Sequence, residues 1–284
     1  MEEYYLICED SLEGVFTGIY DAYLKKKPHG QVHLCVGQED NYRLFAVYEE
    51  CRPDEGKAVK VARTIGRELG HEAYMSICRA LASPQPDKGE AVYKTVVAGL
   101  SMKNRKQVMG NLKNPYIHRV FELARFTANE AHYHVEFLRF RELENGILYA
   151  PMGPKNNVIT FVVPHFADRL PLENLLIHDT LRGIYALHTY GKDWYLLSGA
   201  KGEPGGRDGL ENHDSLPGAV PGKDHREPVP GAPPMPFSEG EEKYSELFTH
   251  FFHTIAVKER GNYGLQRNML PLRYRKYMTE FQEK

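Results

Sequence analysis

The segment that most constrains the fold runs from residue 114 to residue 151, where a helical pattern changes into a hairpin pattern. Pro115 stands at a favoured first position of a helix, and the apolar residues after it recur at helical spacing. From residue 137 the pattern alternates with a period of two, and Asn145-Gly146 is a strong type I′ turn signal. We therefore expect one long amphipathic helix followed by an antiparallel hairpin, in a fold that combines helices with strands.

The N-terminal residues predict a βαβ unit. Residues 4–8 and 32–36 are short apolar runs, and residues 12–23 between them carry one apolar stripe at helical period. A parallel pair of strands needs a crossover connection of this kind. Gly14 and Gly18 lie inside the predicted helix rather than directly after the strand, so they do not form a dinucleotide-binding loop.

The remainder of the chain predicts helices, then a sheet, then helices again. Helices are expected over residues 54–69, 71–82, 87–102 and 164–170, and strands over residues 158–163, 175–178 and 184–189. The predicted fold class is α+β (mixed α/β), with an N-terminal βαβ-like unit, a helical middle, an antiparallel sheet with hairpins and C-terminal helices.

Composition divides the chain into three parts. Residues 1–197 form the predicted main α/β body, with residue 52 as a candidate sub-boundary. Residues 198–236 are rich in Pro and Gly and contain no aromatic residue, which predicts a flexible insertion. Residues 237–284 form a C-terminal helical segment, which we expect to pack on the body through an apolar stripe that begins at Tyr244.

Charge is unevenly distributed along this chain of 284 residues, although its formal net charge is only -2. Residues 1–56 contain twelve acids and five bases, whereas residues 101–141 contain eight bases and three acids. Residues 258–277 contain six bases and one acid. The two basic segments indicate either a phosphate-binding face or a solvated surface balanced by the acidic N-terminus.

The four cysteines are irregularly spaced and include no CxxC pair, which predicts free thiols rather than an iron–sulfur or zinc site in this chain. The sequence has no basic-then-apolar leader and no long apolar run. We therefore expect a cytoplasmic protein without a membrane segment.

Several ordered motifs resemble one bacterial family. They occupy residues 114–120, 129–132, 137–142, 164–167, 177–179 and 256–262, together with Gln266 and Arg273-Tyr274. Over nearly the whole chain except the Pro/Gly insertion, the sequence resembles a bacterial DNA metabolism protein family linked to a radical SAM protein for DNA modification or repair. Related domains occur fused to a uracil-DNA-glycosylase-like domain. Two positions depart from the family pattern: Arg275 stands where a Trp is expected, and Glu136 where a Gly is expected.

The resemblance implies a DNA repair or modification accessory protein that binds nucleic acid or positions a radical SAM partner on DNA. The iron–sulfur cluster and S-adenosylmethionine would belong to that partner, because this chain lacks a CxxxCxxC motif. No cofactor is therefore expected in this chain. A uracil-DNA-glycosylase-like protein is a further candidate partner. Two alternatives stay open: a DNA-processing enzyme (nuclease or base-processing) with a His/Asp site, and a protein-interaction scaffold without DNA affinity.

The candidate nucleic-acid or partner contacts are basic, amide and aromatic residues. They are Arg119, Arg139, Arg141, Arg182, Arg260, Asn262, Gln266, Arg273, Tyr274 and Lys276. Arg139 and Arg141 alternate with Phe140 on a predicted strand, so both would point to one face and could clamp two phosphates. Alternatively, one of them pairs with Glu142, Glu144 or another carboxylate as part of the scaffold. The C-terminal residues suit single-stranded or flipped-base binding, or form an arm whose tyrosines pack on the body.

The candidate catalytic residues are His132, His165, His178 and Asp179. Asp179 could orient a histidine for acid–base chemistry, or it could begin the turn that ends at Gly183. On a continuing strand, His132, His134 and Glu136 would share one face and could hold a metal ion. Structural histidines are the favoured interpretation, and we predict no metal site.

Overall fold

The computed structural model describes residues 2–37, 43–198, 233–255 and 262–281. The fold is α+β, as predicted, with a parallel three-stranded sheet near the N-terminus and a mixed five-stranded sheet. The chain divides into two compact units. The first unit is Met1–His134 with Pro154–Val162, and the second is Val135–Gly153 with Val163–Lys284. The predicted sub-boundary near residue 52 stays a prediction, and residues 199–232 of the predicted insertion lie outside the described ranges.

The first unit begins with the predicted βαβ arrangement. Strand β1 (Glu3–Cys8) pairs in parallel with β2 (Val32–Val36), and helix α1 (Leu12–Leu24) connects them. Strand β3 (Ala46–Cys51) pairs in parallel with the other edge of β1, which gives the order β2-β1-β3. Strand β3 was not predicted, because its consecutive glutamates interrupt the apolar signal of this edge strand.

A close approach between β1 and α1 fixes the start of this unit. The Ser11 side chain caps α1 by accepting the backbone N–H of Gly14 at 2.9 Å. One turn later, a Cβ atom on Gly18 would overlap the Sγ atom of Cys8. Glycine therefore lets the helix lie directly against the strand.

Helices complete the first unit and supply most of its core. Helix α2 (Glu55–Thr64) continues through a π-helical segment (Ile65–Leu69), so the helix predicted to end at residue 69 is confirmed, and Gly70 stops it with a φ of 91°. The elements that follow are α3 (His71–Leu81), α4 (Lys88–Ser101) and a 3₁₀ segment (Arg105–Gly110). Helix α5 (Pro115–Phe137) contributes Ile117, Val120 and Leu123 to the same buried cluster. That burial fixes which side of α5 remains exposed.

The second unit contains a sheet in the order β4-β5-β6-β7-β8. Strands β4 (Arg141–Glu142) and β5 (Leu148–Met152) form the predicted hairpin, as do β6 (Leu175–Asp179) and β7 (Ile184–His188). Strand β8 (Tyr195–Ser198) extends the sheet beside β7. Strands β5 and β6 are parallel, so the sheet is mixed rather than wholly antiparallel. Helix α6 (Ile159–Arg169) lies in the connection between these two strands.

Two local predictions were wrong. Residues 158–163 do not form a strand, because they belong largely to α6. Val158, Ile159, Val162 and Val163 are all buried. When a short run is apolar throughout, its hydrophobic periodicity cannot distinguish a helix from a strand. Helix α5 also continues to Phe137, so Arg139 and Phe140 precede β4 instead of lying on a strand.

The C-terminal helices are α7 (Glu239–Ile255), α8 (Tyr263–Met269) and α9 (Leu272–Arg275). On α7, Phe252 contacts Phe281, with ring centroids 5.6 Å apart. Tyr244, Leu247 and Phe251 of the predicted apolar stripe are exposed. Among the described helices, none is long and apolar enough to cross a membrane.

Candidate nucleic-acid interface

The two arginines predicted to clamp phosphates are each engaged inside the second unit. Nη2 of Arg139 lies 2.8 Å from Oε1 of Glu280, a carboxylate whose residue is only 4% exposed. Arg141 places Nε 3.4 Å from Oε1 of Glu241 and its guanidinium 3.5 Å from the ring centre of Phe237. The two arginines share no strand face, because only Arg141 belongs to β4. These contacts match the scaffold alternative, and phosphate binding by either arginine stays a prediction.

The next two predicted arginines also have carboxylate partners. Arg119 holds Asp87 through two bonds of 2.7 and 3.1 Å, and these hydrogen bonds raise the pKa of its guanidinium further. Its Nη1 also lies 3.4 Å from Oε2 of Glu122. Nη1 of Arg182 lies 2.9 Å from Oδ2 of Asp179, which is completely buried. Both arginines therefore stabilise local structure.

The predicted C-terminal contacts divide into packed and exposed residues. Tyr274 is buried, with its ring centroid 6.1 Å from that of Phe137, and Arg273 donates a 2.6 Å hydrogen bond to its hydroxyl. Asn262 caps α8 by accepting the Leu265 backbone N–H at 2.9 Å. Gln266 and Lys276 are exposed, and Arg260 lies outside the described residues.

The C-terminal arm is also held by tyrosine packing. The hydroxyl of Tyr277 lies 2.9 Å from Oγ1 of Thr180, and a Cβ on Gly153 would overlap the same hydroxyl. With Tyr274 already buried, these contacts favour the interpretation in which the tyrosines attach the arm to its own unit.

The predicted catalytic pair on β6 has two separate sets of partners. Nδ1 of His178 lies 2.8 Å from the Tyr149 hydroxyl, and its ring stacks on Tyr185 at 4.1 Å. Burial lowers the pKa of His178 and raises that of Tyr149. Asp179 instead accepts the backbone N–H groups of Leu181 and Arg182 at 3.0 and 3.2 Å. These bonds form the turn that ends at Gly183, so they favour the turn interpretation of Asp179.

The other predicted catalytic residues lie on helices. His132 is exposed on α5 in the first unit, and His165 is exposed on α6, where its ring meets Phe166 edge-on. Because α5 is helical through Phe137, His132 and His134 are separated by two helical positions and do not share a face. Within the described residues, no group of three His, Cys, Asp or Glu side chains is arranged to hold a metal ion.

A group of exposed cationic and aromatic side chains lies on α5 and in the segment that precedes it, within the first unit. We call this surface the basic face. It consists of Lys103, Lys106, Lys113, Phe121, Arg125, Phe126 and Asn129, all of which are exposed. The three lysines and Arg125 form no ion pair with any residue in the described ranges. Phe121 is 40% exposed and Phe126 is 55% exposed, and the Arg125 guanidinium lies 5.8 Å from the Phe126 ring centre.

Helix geometry places three of these side chains on one side of α5. On α5, Phe121, Arg125 and Asn129 recur at a spacing of four residues, which places them on one side of the helix. Glu130 occupies the opposite side, where it accepts hydrogen bonds from the Asn156 backbone at 2.7 Å and side chain at 2.6 Å. Burial of that side turns the Arg125 side outward.

The segment before α5 brings its lysines to the beginning of this helix. Asn114 caps α5 by accepting the Tyr116 backbone N–H at 3.0 Å, which fixes the entry of the chain next to Lys113. A cleft of about 480 Å³ lies in the same segment. It is lined by Glu72, Met102, Lys106, Gln107, Met109, Gly110 and Asn111. Its amide and ammonium groups are donors of the kind that contact phosphates and base edges.

Sequence reasoning missed the residues of the basic face individually, although the signal was present. The excess of bases in residues 101–141 identified the segment. Three arginines within recognisable motifs are engaged by carboxylates, whereas the exposed cations are Arg125 and lysines in a polar loop. The helical period predicts Phe121 on the apolar side of α5 with Ile117 and Val120, but its ring is 40% exposed, so this part of the surface could not be predicted from the pattern.

Comparison with known proteins places these observations in a family. No curated protein matches the chain. The model of a family described as a domain of unknown function, DUF4130, matches residues 86–280. That range covers more than half of the chain and includes every residue of the basic face. The chain therefore belongs to the DUF4130 family.

Proposed function

We propose that the basic face binds single-stranded nucleic acid, and that the protein acts as an accessory factor in DNA repair or modification. The observation that carries the proposal is that cations without an ion-pair partner among the described residues occur together with exposed aromatic rings on α5 and in the segment that leads into it. Lys103, Lys106 and Lys113 supply charge for phosphates, while Phe121 and Phe126 supply stacking surfaces for bases.

A single strand suits this surface better than a duplex does. Aromatic side chains stack only on bases whose faces are accessible, and duplex bases are covered by their neighbours. Asn129, on the same side of α5, adds an amide that can both donate to and accept from a base edge. Phosphate contacts would fix the strand on the surface without reading its sequence.

The accessory role rests on the resemblance to the DNA metabolism protein family. The partner is a radical SAM protein, which supplies the iron–sulfur cluster and S-adenosylmethionine, and this chain presents the strand to it. A uracil-DNA-glycosylase-like protein is a second candidate partner. The engagement of Asp179 in a turn and of His178 with Tyr149 makes the DNA-processing enzyme the weaker alternative.

Fluorescence anisotropy with a labelled single-stranded oligonucleotide tests the proposal. The double variant Lys113→Gln/Arg125→Gln should weaken binding and reduce the slope of log affinity against log salt by about 1.4, since each lost phosphate contact contributes about 0.7. A matched control is Lys60→Gln/Arg63→Gln, which removes one lysine and one arginine from the exposed side of α2. The control should leave both affinity and slope unchanged.

The stacking part of the proposal has its own test. Phe126→Ala should cost about 1–3 kcal/mol of binding free energy for one stacked base, with no change in the salt slope. Absence of salt-dependent binding by the full chain, alone and with the radical SAM protein, would refute the nucleic-acid proposal. Partner capture that survives high salt without any DNA affinity would favour the protein-interaction scaffold instead.

A further inference from the structure

A second cleft lies wholly within the other unit. It has a volume of about 670 Å³, within the range of small-molecule sites. Its walls come from α6 and from the loop between β7 and β8, and its lining residues are Pro164, Ala167, Asp168, Pro171, His188, Gly191, Lys192, Asp193 and Trp194. Trp194 is the only tryptophan of the chain.

His188 is the residue that distinguishes this cleft from an ordinary surface depression. It ends β7 and is only 5% exposed. Neither ring nitrogen has a hydrogen-bond partner in the described part of the chain, and each nitrogen exposes less than 1 Å². A buried imidazole with two unmet polar atoms is costly to the fold, so it is a candidate for a ligand-binding group.

The loop beside His188 is fixed by its own hydrogen bonds. Gly191, with a φ of 64°, donates its N–H to the Pro171 carbonyl at 3.1 Å, and the Lys192 N–H reaches the Thr189 carbonyl at 2.9 Å. These bonds fix the loop that brings Lys192, Asp193 and Trp194 to the lining of the cleft, which also includes Asp168 of α6. The cleft therefore combines one aromatic ring, two carboxylates, one ammonium group and one imidazole.

We propose that this cleft binds a purine or pyrimidine ring that carries an exocyclic amino group. The indole of Trp194 offers a face on which a planar heterocycle can stack. Asp168 and Asp193 accept hydrogen bonds from the amino group. One nitrogen of the His188 imidazole can donate to the ring nitrogen beside the amino group after the imidazole turns toward the ligand, while its other nitrogen points away from that edge.

The ring can come from two sources with the same chemistry. It is either the base of a free nucleotide or an unstacked base in a single strand, and Lys192 contacts the phosphate in both cases. The inference does not depend on the basic face, because all lining residues belong to the second unit. Failure of the basic face to bind nucleic acid would therefore not refute ligand binding in this cleft, and failure of the cleft to bind a ligand would not refute the basic face.

Trp194 provides a direct measurement, since no other residue of the chain contributes tryptophan fluorescence. The full-length protein is titrated with cytidine monophosphate and, in parallel, with uridine monophosphate, with excitation at the red edge of the indole band. The two nucleotides differ on one edge of the base: the amino group of cytosine is replaced by a keto group in uracil, and the neighbouring ring nitrogen changes from acceptor to donor. We expect saturable quenching by the cytidine nucleotide at about tenfold lower concentration. Short single strands of the same bases distinguish the two sources.

Two variants separate binding from folding. His188→Phe keeps a ring of similar shape and removes the unmet nitrogens, so it should weaken binding about tenfold while leaving the urea midpoint equal or higher. Asp168→Asn/Asp193→Asn should abolish the preference for cytidine over uridine. His250→Phe, on exposed α7, is the matched control and should change neither property. Absence of quenching, equal response to both nucleotides, or unchanged binding by His188→Phe would overturn the proposal.

Discussion

Replacing Arg139 with alanine is expected to destabilise the second unit rather than to remove a phosphate contact. Arg139 bonds to Oε1 of Glu280 through Nε at 3.2 Å and Nη2 at 2.8 Å. The Glu280 side chain is 1% exposed, whereas that of Arg139 is 27% exposed. Its other oxygen, Oε2, is buried without a partner within the described residues. Removal of the guanidinium therefore leaves a buried carboxylate with no compensating charge.

The expected magnitude follows from this burial. Loss of one partner from a fully buried ion pair costs about 3–5 kcal/mol. Because Arg139 is partly exposed, water can solvate part of the vacated space, so we expect about 2–3 kcal/mol. Neutralising the carboxylate removes most of the penalty. Arg139→Ala should therefore cost clearly less in a Glu280→Gln background, which gives a measurable coupling energy in a double-mutant cycle.

Urea unfolding followed by Trp194 fluorescence measures this effect in the correct unit, since Trp194 and the ion pair belong to the same one. Arg267→Ala on α8 is a suitable control, because Arg267 is exposed and forms no ion pair with a described residue. It should shift the midpoint little. An unchanged midpoint for Arg139→Ala, together with weakened oligonucleotide binding, would refute the scaffold assignment and restore the phosphate-clamp prediction.

Two further predictions follow from local packing and burial. Gly18→Ala should destabilise the first unit by about 1–3 kcal/mol, because the added Cβ would overlap Cys8. The control Gly66→Ala should leave stability unchanged or raise it, because its Cβ meets no atom within 4 Å. Urea unfolding followed by far-ultraviolet circular dichroism measures both variants. Burial lowers the pKa of His178, so the unfolded chain takes up a proton first and stability should fall as the pH drops below about 6.5. His178→Gln should flatten that dependence in Trp194-monitored unfolding, and an equal slope in the variant would contradict the assignment.

Local patterns were sufficient where local interactions determine the structure. The stop at Gly70 needs only a backbone that adopts positive φ, and the Asn145-Gly146 hairpin needs only its own turn residues. The βαβ unit was predicted from two short apolar runs and from the helical spacing of the apolar residues between them. By contrast, the apolar run at residues 158–163 is compatible with either a helix or a strand. Its helical structure depends on burial in the tertiary fold, which the local sequence does not show.

The sites were less predictable because the pairing of charges is a long-range property. The carboxylate partner of Arg139 is 141 residues away in sequence, that of Arg141 is 100 residues away, and Asp87 lies 32 residues before Arg119. No motif or local spacing reveals such partners. The unmet nitrogens of His188 were equally invisible, since an ordinary β-strand histidine has the same sequence pattern.

An arginine that is prominent in a motif is therefore a poor guide to a phosphate site in this fold. Its bidentate geometry suits a carboxylate as well as a phosphate, and a partner within the same unit is always present at high effective concentration. A cation remains available to a ligand when no carboxylate pairs with it, and Lys113 and Arg125 form no ion pair within the described part of the chain. With a net charge of only -2, the chain as a whole generates no strong field that attracts a polyanion. Affinity for nucleic acid must then come from contacts at the basic face itself, so removal of two of its cations should have a larger effect than the same charge change elsewhere.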